Sequence, residues 1–454
     1  MSATRDLTTG NVTKQLLGFA APVLLGQLLQ QLYNIVDTAI VGKALGVEPL
    51  AAVGATGSIM FMIIGMCNGM CSGCAIPVAQ RFGAKDEGGV RKSVAGCLWV
   101  GIIMAIILTS LTSILCRNIL VWMDTPENII DYAYSYLIVI LLGIPATILY
   151  NMLAGIMRAL GDSKTPLNML MLSTGLNLLL DLVFILVLGL GISGASLATV
   201  ISQLISGLLC LRVVKKKYEI LHITREEMKY DGEEVKRLVG VGFPMGLQFS
   251  VTAIGSILLQ TSVNGLGSDC VASMVSGGKL NMFFMAPFDA LGAALATFTG
   301  QNLGAGKLDR IKESVKKSMA IGMVYAVLIF TISFFFSGKL ALIFVDASET
   351  AIIHNIRYVM LINQSFYWFL LAVDVYRFVI QGLGYSNLAI ISGFLEMVAR
   401  AFMGVFIVPK LGFIFACMAS PLAWVMAVSF LIPTYYKLMK KVAADLNRAD
   451  TSVA

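Results

Sequence analysis

The chain has 454 residues, of which 57% are hydrophobic and only 13% are charged. A soluble chain would carry about a quarter charged residues, so the composition excludes an ordinary soluble protein and predicts a polytopic membrane protein. The formal net charge of +7 does not call for nucleic acid as a partner. Most basic residues lie between apolar runs, where they set membrane topology.

Apolar runs long enough to cross a bilayer, about 20 residues each, recur along the chain. The first fourteen residues are polar and lead into an apolar run without a small-residue cleavage site, which argues against a removable signal peptide. Gly, Pro and charged residues mark the joints between runs. We predict twelve spans, at residues 15–41, 50–80, 94–116, 132–157, 165–190, 192–213, 238–264, 271–300, 315–337, 358–381, 387–409 and 412–436.

Lysine and arginine residues assign the two sides of the membrane. If the N-terminus is cytoplasmic, the predicted cytoplasmic segments hold 25 basic residues and the outer loops hold 5. This asymmetry predicts a multi-pass protein in the lipid bilayer with both termini in the cytoplasm.

The two halves of the chain repeat one another. QRFGAKDEGGVRKSV (80–94) aligns with QNLGAGKLDRIKESV (301–315), and Pro22 aligns with Pro244. Six spans in each half is an even number, so the repeat is parallel, and the prediction is an all-α protein of two pseudo-symmetric six-helix bundles around a cavity, as in transporters. The predicted parts are an N-lobe at 1–214, a cytoplasmic linker at 215–237 and a C-lobe with the cytoplasmic tail at 238–454.

Both charged residues within the N-lobe spans are acids, Asp37 and Asp181. Asn177 precedes Asp181 by one turn, and one face of the first span carries Gln27, Gln30, Asn34 and Asp37. Such a polar stripe cannot face lipid. Two carboxylates in a low dielectric cannot both stay charged without cost, so a proton or a cation must neutralise them. That behaviour suits an ion-coupled cycle, and the alternative is a structural carboxyl bonded to Asn or Thr.

The C-lobe spans hold both acids and bases. Asp374 and Arg377 are three residues apart and Glu396 and Arg400 four apart, so each acid has a base within reach on its own helix. These pairs are either structural or functional. The same face of the tenth span adds Asn363, Tyr367 and Gln381, the seventh span offers the neutral Gln248, and the remaining charges within C-lobe spans are Lys279 and Asp289.

Other motifs narrow the class of protein. Cys67, Cys71 and Cys74 share a helix face with small residues, which predicts close helix packing rather than a metal site. Pro22 and Pro145 lie inside spans and allow kinks. Metalloprotease, α/β-hydrolase and P-loop motifs do not occur in the sequence, so we expect no enzyme and an ion gradient as the energy source.

Four stretches together resemble the multidrug and toxic compound extrusion (MATE) family, most closely its bacterial DinF-like and MepA-like branch. They are VDTAIVGKALG (36–46), PVAQRFGAKD (77–86), MRALGDSKTP (157–166) and NLLLDLVFILVLGLGISGASLAT (177–199). The resemblance implies a V-shaped pair of bundles in the bacterial cytoplasmic membrane. It also implies export of organic cations or drugs in exchange for H⁺ or Na⁺, without a cofactor. A monomer is the default expectation.

The resemblance also assigns residues. The ion-coupling site it implies comprises Asp37, Asn151, Asn177, Asp181 and Thr199, of which all but Asn151 form a candidate Na⁺ site. Pro22 would be a hinge. The candidate cavity residues are Gln30, Asn34, Gln248, Tyr367, Asp374 and Arg377. The NorM-like branch carries a glutamate on the seventh span, but no acid occurs between Gln248 and Gln260 here, so the resemblance does not extend to a cation site of that type.

The main alternative is a lipid-linked oligosaccharide flippase of the same superfamily. It would need unpaired bases to bind phosphate, whereas the N-lobe spans hold none and acids accompany the C-lobe bases. A channel or an intramembrane enzyme fits the two-lobed repeat less well. The sequence leaves open the choice between H⁺ and Na⁺ and the physiological substrate.

Overall fold

A computed structural model gives the fold for residues 4–453, with side chains described up to residue 448. That part of the chain is helical and contains no strand. Its α-helices are α1 Val12–Leu45, α2 Val47–Gly83, α3 Glu87–Trp122, α4 Glu127–Leu142, α5 Ile144–Ala159, α6 Lys164–Asp181, α7 Ile192–Lys217, α8 Gly232–Asn264, α9 Ser268–Gly304, α10 Leu308–Ala341, α11 Thr350–Ser365, α12 Tyr367–Gly382, α13 Ser386–Phe402, α14 Val408–Leu411 and α15 Phe413–Val453.

The helices agree with the predicted spans. Over the described residues, ten helices are long and apolar enough to cross a membrane, and two bent helix pairs raise the number to twelve. Each predicted span coincides with one of these helices or pairs. The prediction of a polytopic all-α membrane protein is therefore confirmed.

Both bent pairs lie at corresponding places in the two halves. α4 and α5 meet at Gly143 with a bend of 46°, and Pro145 in the first turn of α5 cannot donate the hydrogen bond that would continue α4. α11 and α12 meet at Phe366 with a bend of 50°. The sequence predicted a kink at Pro145, whereas no proline at Phe366 indicates the second bend.

Two π-helical segments also recur in both halves. Leu182–Val187 follows α6 and Met403–Ile407 follows α13. Such segments insert an extra residue into the helix and are frequent at functional sites. Asp181 is the last residue before the first segment, and Phe402 holds the same place before the second. The backbone irregularity is thus repeated, while the acid belongs to the first half alone.

The chain divides into two compact units with boundaries that differ from those of the predicted lobes. The first unit consists of Met1–Leu7 and Ala21–Leu247, and the second of Thr8–Ala20 and Gln248–Ala454. The start of α1 therefore groups with the second unit. The segment 215–237 and the first turns of α8 group with the first.

The linker groups with the first unit because charged contacts attach it there. Glu234 is only 4% exposed, and its carboxylate accepts hydrogen bonds from Arg81 at 2.7 Å and from the Ser93 hydroxyl at 2.8 Å. Both of its oxygens are therefore satisfied, as a buried carboxylate requires. Further contacts are the ion pairs Arg91–Glu227 at 2.6 Å and Lys92–Asp231 at 2.7 Å, and a 2.9 Å hydrogen bond from the Trp99 indole to the Met228 carbonyl.

We expect Glu227→Gln to loosen this linker. The hydrogen bond from Arg91, together with the backbone of Thr224, lowers the pKa of Glu227 from 4.5 to about 2. The stabilisation is therefore complete above pH 4.5 and is lost as the pH falls towards 2. At neutral pH, trypsin should cleave after Arg225 and Lys229 faster in this variant than in the wild type. The exposed neighbour Glu226 provides the control Glu226→Gln, and equal cleavage of both variants would contradict the expectation.

Glycines allow the start of α8 to approach α2 closely. A Cβ on Gly73 would lie 2.6 Å from the Cα of Gly242, and the Cys74 thiol lies 3.7 Å from the Leu238 carbonyl. The stretch CNGMCSGC is thus a site of tight helix packing through small residues, as predicted.

Replacing Gly242 with alanine should destabilise the protein. The new Cβ would come within 2.7 Å of the Cys74 sulfur and 2.9 Å of the Met70 carbonyl, and overpacking of this kind costs about 1–3 kcal/mol. Thermal unfolding of the purified protein in detergent measures the change. Gly240 on the same helix has nothing within 4 Å of its Cβ position, so Gly240→Ala should be neutral or slightly stabilising. Similar unfolding temperatures for both variants would refute this packing argument.

Candidate functional site

The two acids predicted within the N-lobe spans lie side by side in the first unit. Asp37 of α1 is 6% exposed and Asp181 of α6 is fully buried. Their carboxyl groups interact with each other electrostatically. The sequence placed these acids on separate helices, and the fold brings them together.

Polar side chains surround the two acids. The hydroxyl of Tyr33, one turn before Asp37, forms a 2.7 Å hydrogen bond with the hydroxyl of Thr199 on α7, and the amide of Asn177 donates to the same hydroxyl at 3.2 Å. Tyr136 of α4 is 5% exposed and interacts electrostatically with both acids. Together these side chains form what we call the acid cluster: Tyr33, Asp37, Tyr136, Asn177, Asp181 and Thr199.

Four buried oxygens of the acid cluster receive no hydrogen bond from an N–H or O–H donor of the described residues. They are both carboxylate oxygens of Asp181, Oδ1 of Asp37 and Oδ1 of Asn177. Buried polar atoms are normally paired, so the cluster has unused capacity to accept a proton or to bind a cation. Carboxylate, amide and hydroxyl oxygens are the ligands that hard cations prefer, so the residues present fit Na⁺ as well as H⁺.

The structure does not bring Asn151 into the acid cluster. Its amide donates to the Thr147 carbonyl of its own helix at 2.8 Å, and the Thr147 hydroxyl donates to Gln203 at 2.5 Å. Asn151 thus belongs to a separate polar contact between α5 and α7.

The predicted cavity residues divide into exposed and buried positions. Gln30 and Asn34 are exposed on α1. Gln248 is 8% exposed and accepts a hydrogen bond from Gln381 at 2.9 Å. Tyr367 is fully buried, because its hydroxyl donates to Asn281 at 3.0 Å and its ring packs edge-on against Phe288 and Trp424. Tyr367 is therefore a core residue of the second unit rather than part of a cavity wall.

The charges of the second unit pair differently from the sequence prediction. Glu396 and Arg400 form the predicted pair, at 3.3 Å. Arg377, however, forms an ion pair with Glu396 on the next helix instead of with Asp374 on its own. A buried carboxylate is stabilised when both its oxygens accept charge-assisted hydrogen bonds, and Glu396 gains this by binding two guanidinium groups. Arg377 thus acts on Asp374 only electrostatically, and its ion pair is with Glu396.

Two residues of the acid cluster, Tyr33 and Tyr136, were not among the predicted site residues. Tyr33 lies four residues before Asp37 and hence on the same helix face, so the polar stripe could have included it. Tyr136 reaches the acids only because α4 packs nearby, and nothing in the local sequence indicates this. Asp289 was noted only as a charge within a span, yet it interacts electrostatically with Asp374.

The fold and site define a helical membrane protein of two repeated halves with a buried acid pair in the first. The family profile described as MatE matches the chain twice, over residues 22–183 and 244–406. These matches begin at Pro22 and Pro244, the residues that the internal repeat aligned, which confirms the repeat. The chain belongs to the MATE family.

Relatives and solved structures agree with this assignment. Probable multidrug resistance protein YoeA of Bacillus subtilis is 29% identical over 73% of each chain. Probable multidrug resistance protein YpnP of the same organism is 31% identical over 67% of this chain and 68% of its own. A crystal structure of a MATE protein in complex with MaL6 has a TM-score of 0.89 at 22% identity, covering 96% of this chain and 98% of the other. The predicted MATE fold is confirmed.

Proposed function

We propose that this protein is a multidrug efflux antiporter of the bacterial cytoplasmic membrane. It exports cationic amphipathic compounds in exchange for H⁺ or Na⁺ by alternating access. Relatives named as multidrug resistance proteins support the substrate class. The main support for ion coupling is the buried pair Asp37–Asp181. Three oxygens of these two carboxylates receive no hydrogen bond from a donor of the described residues.

The acid cluster would couple the two fluxes through its charge. Without an ion, two adjacent carboxylates repel one another in a low dielectric. This repulsion favours the conformation of the transporter in which the acid cluster can bind a cation or a proton. Binding of H⁺ or Na⁺ removes this repulsion and lets the cluster close. A cationic drug that is favoured by the charged state and disfavoured by the neutral one then leaves as the ion enters. Each ligand thus favours the opposite exit, which is antiport.

Pro22 is proposed as the place where α1 bends during this cycle. It lies inside a continuous helix and removes one backbone hydrogen bond there. α1 also passes from the second unit to the first at Ala20–Ala21, directly before this proline. Movement of one unit would therefore be absorbed where the helix is weakest.

A flippase for lipid-linked oligosaccharides is the second candidate. Lys279 of α9 is exposed and without an ion pair among the described residues, and its ammonium group lies 6.0 Å from the centre of the Phe344 ring. A free base of this kind could bind phosphate. Arg377 and Arg400, by contrast, share Glu396, and the N-terminal acid pair would repel an anion. The balance of charge favours a cationic substrate.

Ethidium efflux from energised bacterial cells tests the proposed function. Cells expressing the protein should lose ethidium faster than cells with an empty vector, and collapse of the ion gradient should stop the difference. Replacing sodium by potassium in the medium separates Na⁺ coupling from H⁺ coupling. If expressing cells retain ethidium and other cationic dyes like the vector control, the flippase takes precedence.

A further inference from the structure

The acids and the bases of the linker segment 215–237 have opposite surroundings. The segment holds seven bases and six acids, so its sequence alone is close to neutral. All seven bases are exposed, and none of them forms an ion pair among the described residues. Three of the acids, Glu227, Asp231 and Glu234, are half-buried or buried and form ion pairs with bases of α2 and α3. The unpaired charge that remains on the segment is therefore mainly positive.

The start of the segment is also fixed to the first unit. The basic run 215–217 forms the last turn of α7. Tyr218 follows it, is only 1% exposed, and donates a hydrogen bond from its hydroxyl to the Asp162 carboxylate at 2.6 Å. Leu221 is buried as well. The bases of the segment therefore project from a backbone that is attached at both ends.

Aromatic side chains place the segment at the level of the membrane surface. Trp99 of α3 lies in the second turn of the span predicted at 94–116. Its indole donates to the Met228 carbonyl at 2.9 Å, and its ring packs edge-on against Tyr230 with 5.7 Å between the ring centres. Met228 and Tyr230 are themselves 41% and 57% exposed. Because tryptophan and tyrosine favour the headgroup region of a bilayer, the segment lies where the lipid headgroups begin.

We propose that segment 215–237 is a docking surface for the headgroups of anionic phospholipids in the adjacent leaflet. Phosphate groups supply the negative charge that the exposed bases do not find within the protein, and clusters of about four to eight bases next to a membrane span are typical of such surfaces. A soluble anion would match the bases alone, whereas a lipid surface also matches the exposed side chains of Met228 and Tyr230. The inference is independent of the proposed export of organic cations.

Thermal unfolding of the purified full-length protein in a nonionic detergent, with added phosphatidylglycerol or phosphatidylcholine, tests this proposal. A ligand that binds only the native state raises the unfolding temperature. Anionic phosphatidylglycerol should raise it more than zwitterionic phosphatidylcholine at the same concentration, and added salt should reduce the difference. The triple variant Lys215→Gln/Lys216→Gln/Lys217→Gln should need roughly a hundredfold more phosphatidylglycerol for the same rise, the combined effect of three bases at a membrane surface.

The matched control is Lys215→Arg/Lys216→Arg/Lys217→Arg, which keeps the charge and should respond like the wild type. If the run 215–217 only supported the fold, the glutamine variant would unfold at a lower temperature in both lipids, and the difference between the lipids would be unchanged. That result, or an equal response of the wild type to both lipids, overturns the proposal. An equal rise with inorganic phosphate would show a site for small anions instead. If the glutamine variant does not fold, Lys229→Gln/Lys236→Gln decides by the same comparison.

Discussion

Asp181→Asn is expected to reduce ethidium efflux to the level of cells that lack the protein. The substitution keeps the shape of the side chain and removes its charge, so one carboxylate of the acid pair no longer needs an ion. The driving repulsion between Asp37 and Asp181 disappears with it. Without differential binding of the ion to the two states, nothing remains to drive the drug uphill.

Efflux assays at equal expression, judged by immunoblot of the membrane fraction, measure this effect. Asp346→Asn is the matched control, because Asp346 is an exposed loop residue of the second unit and is not a member of the acid cluster. This variant should transport like the wild type. Wild-type efflux by Asp181→Asn would mean that the carboxyl is structural and that coupling lies elsewhere in the chain.

The same substitution is expected to make the protein more stable. Both oxygens of Asp181 are buried without partners among the described residues, and an unsatisfied buried charged group costs more than the roughly 1–3 kcal/mol of a neutral one. Asparagine carries no charge to repel Asp37, so part of this cost is recovered. The unfolding temperature of the variant should therefore lie above that of the wild type.

Thermal unfolding in detergent at neutral pH, with and without Na⁺, provides the measurement. If Na⁺ binds the acid cluster, it should raise the unfolding temperature of the wild type and not that of Asp181→Asn, because only the native wild-type site binds it. A lower unfolding temperature for the variant would show that the carboxylate supports the fold. Loss of transport together with a gain in stability is the signature of a site kept for function.

The fold was predictable wherever the signal is local. The apolar runs located all twelve spans. Pro145 indicated a bend because a proline removes a backbone hydrogen bond from its own helix. The bend at Phe366 has no such residue, and the fold of the second half produces it at the place where the first half bends. The sequence also predicted a cytoplasmic linker at 215–237, but no local signal indicated that Glu234 within it is buried and hydrogen-bonded to Arg81 and Ser93.

The candidate site was predictable in part. Helical spacing put Asn177 and Asp181 on one face and Asp37 on another helix, but only packing brings Tyr136 to them. Helical spacing did not predict the partner of Arg377, because spacing shows which residues a long side chain can reach and not which of them it binds. That choice depends on Glu396, which is buried between two arginines.

The two halves share a backbone and differ in polar residues. Bends and π-helical segments recur in both, yet Asp181 in the first half corresponds to Phe402 in the second. Ion coupling is accordingly proposed for the first unit. The two halves thus repeat the same helices but hold different polar residues.

Ion and drug fluxes measured together in proteoliposomes test the proposed coupling most directly. Purified wild type and Asp181→Asn would be reconstituted, a proton or sodium gradient imposed, and ethidium movement followed alongside the counter-flow of the ion. The account predicts that the wild type moves ethidium against its gradient as one of the two ions flows the other way, and that the variant moves neither. Uphill ethidium transport by the variant, or wild-type transport without either ion flux, would contradict it.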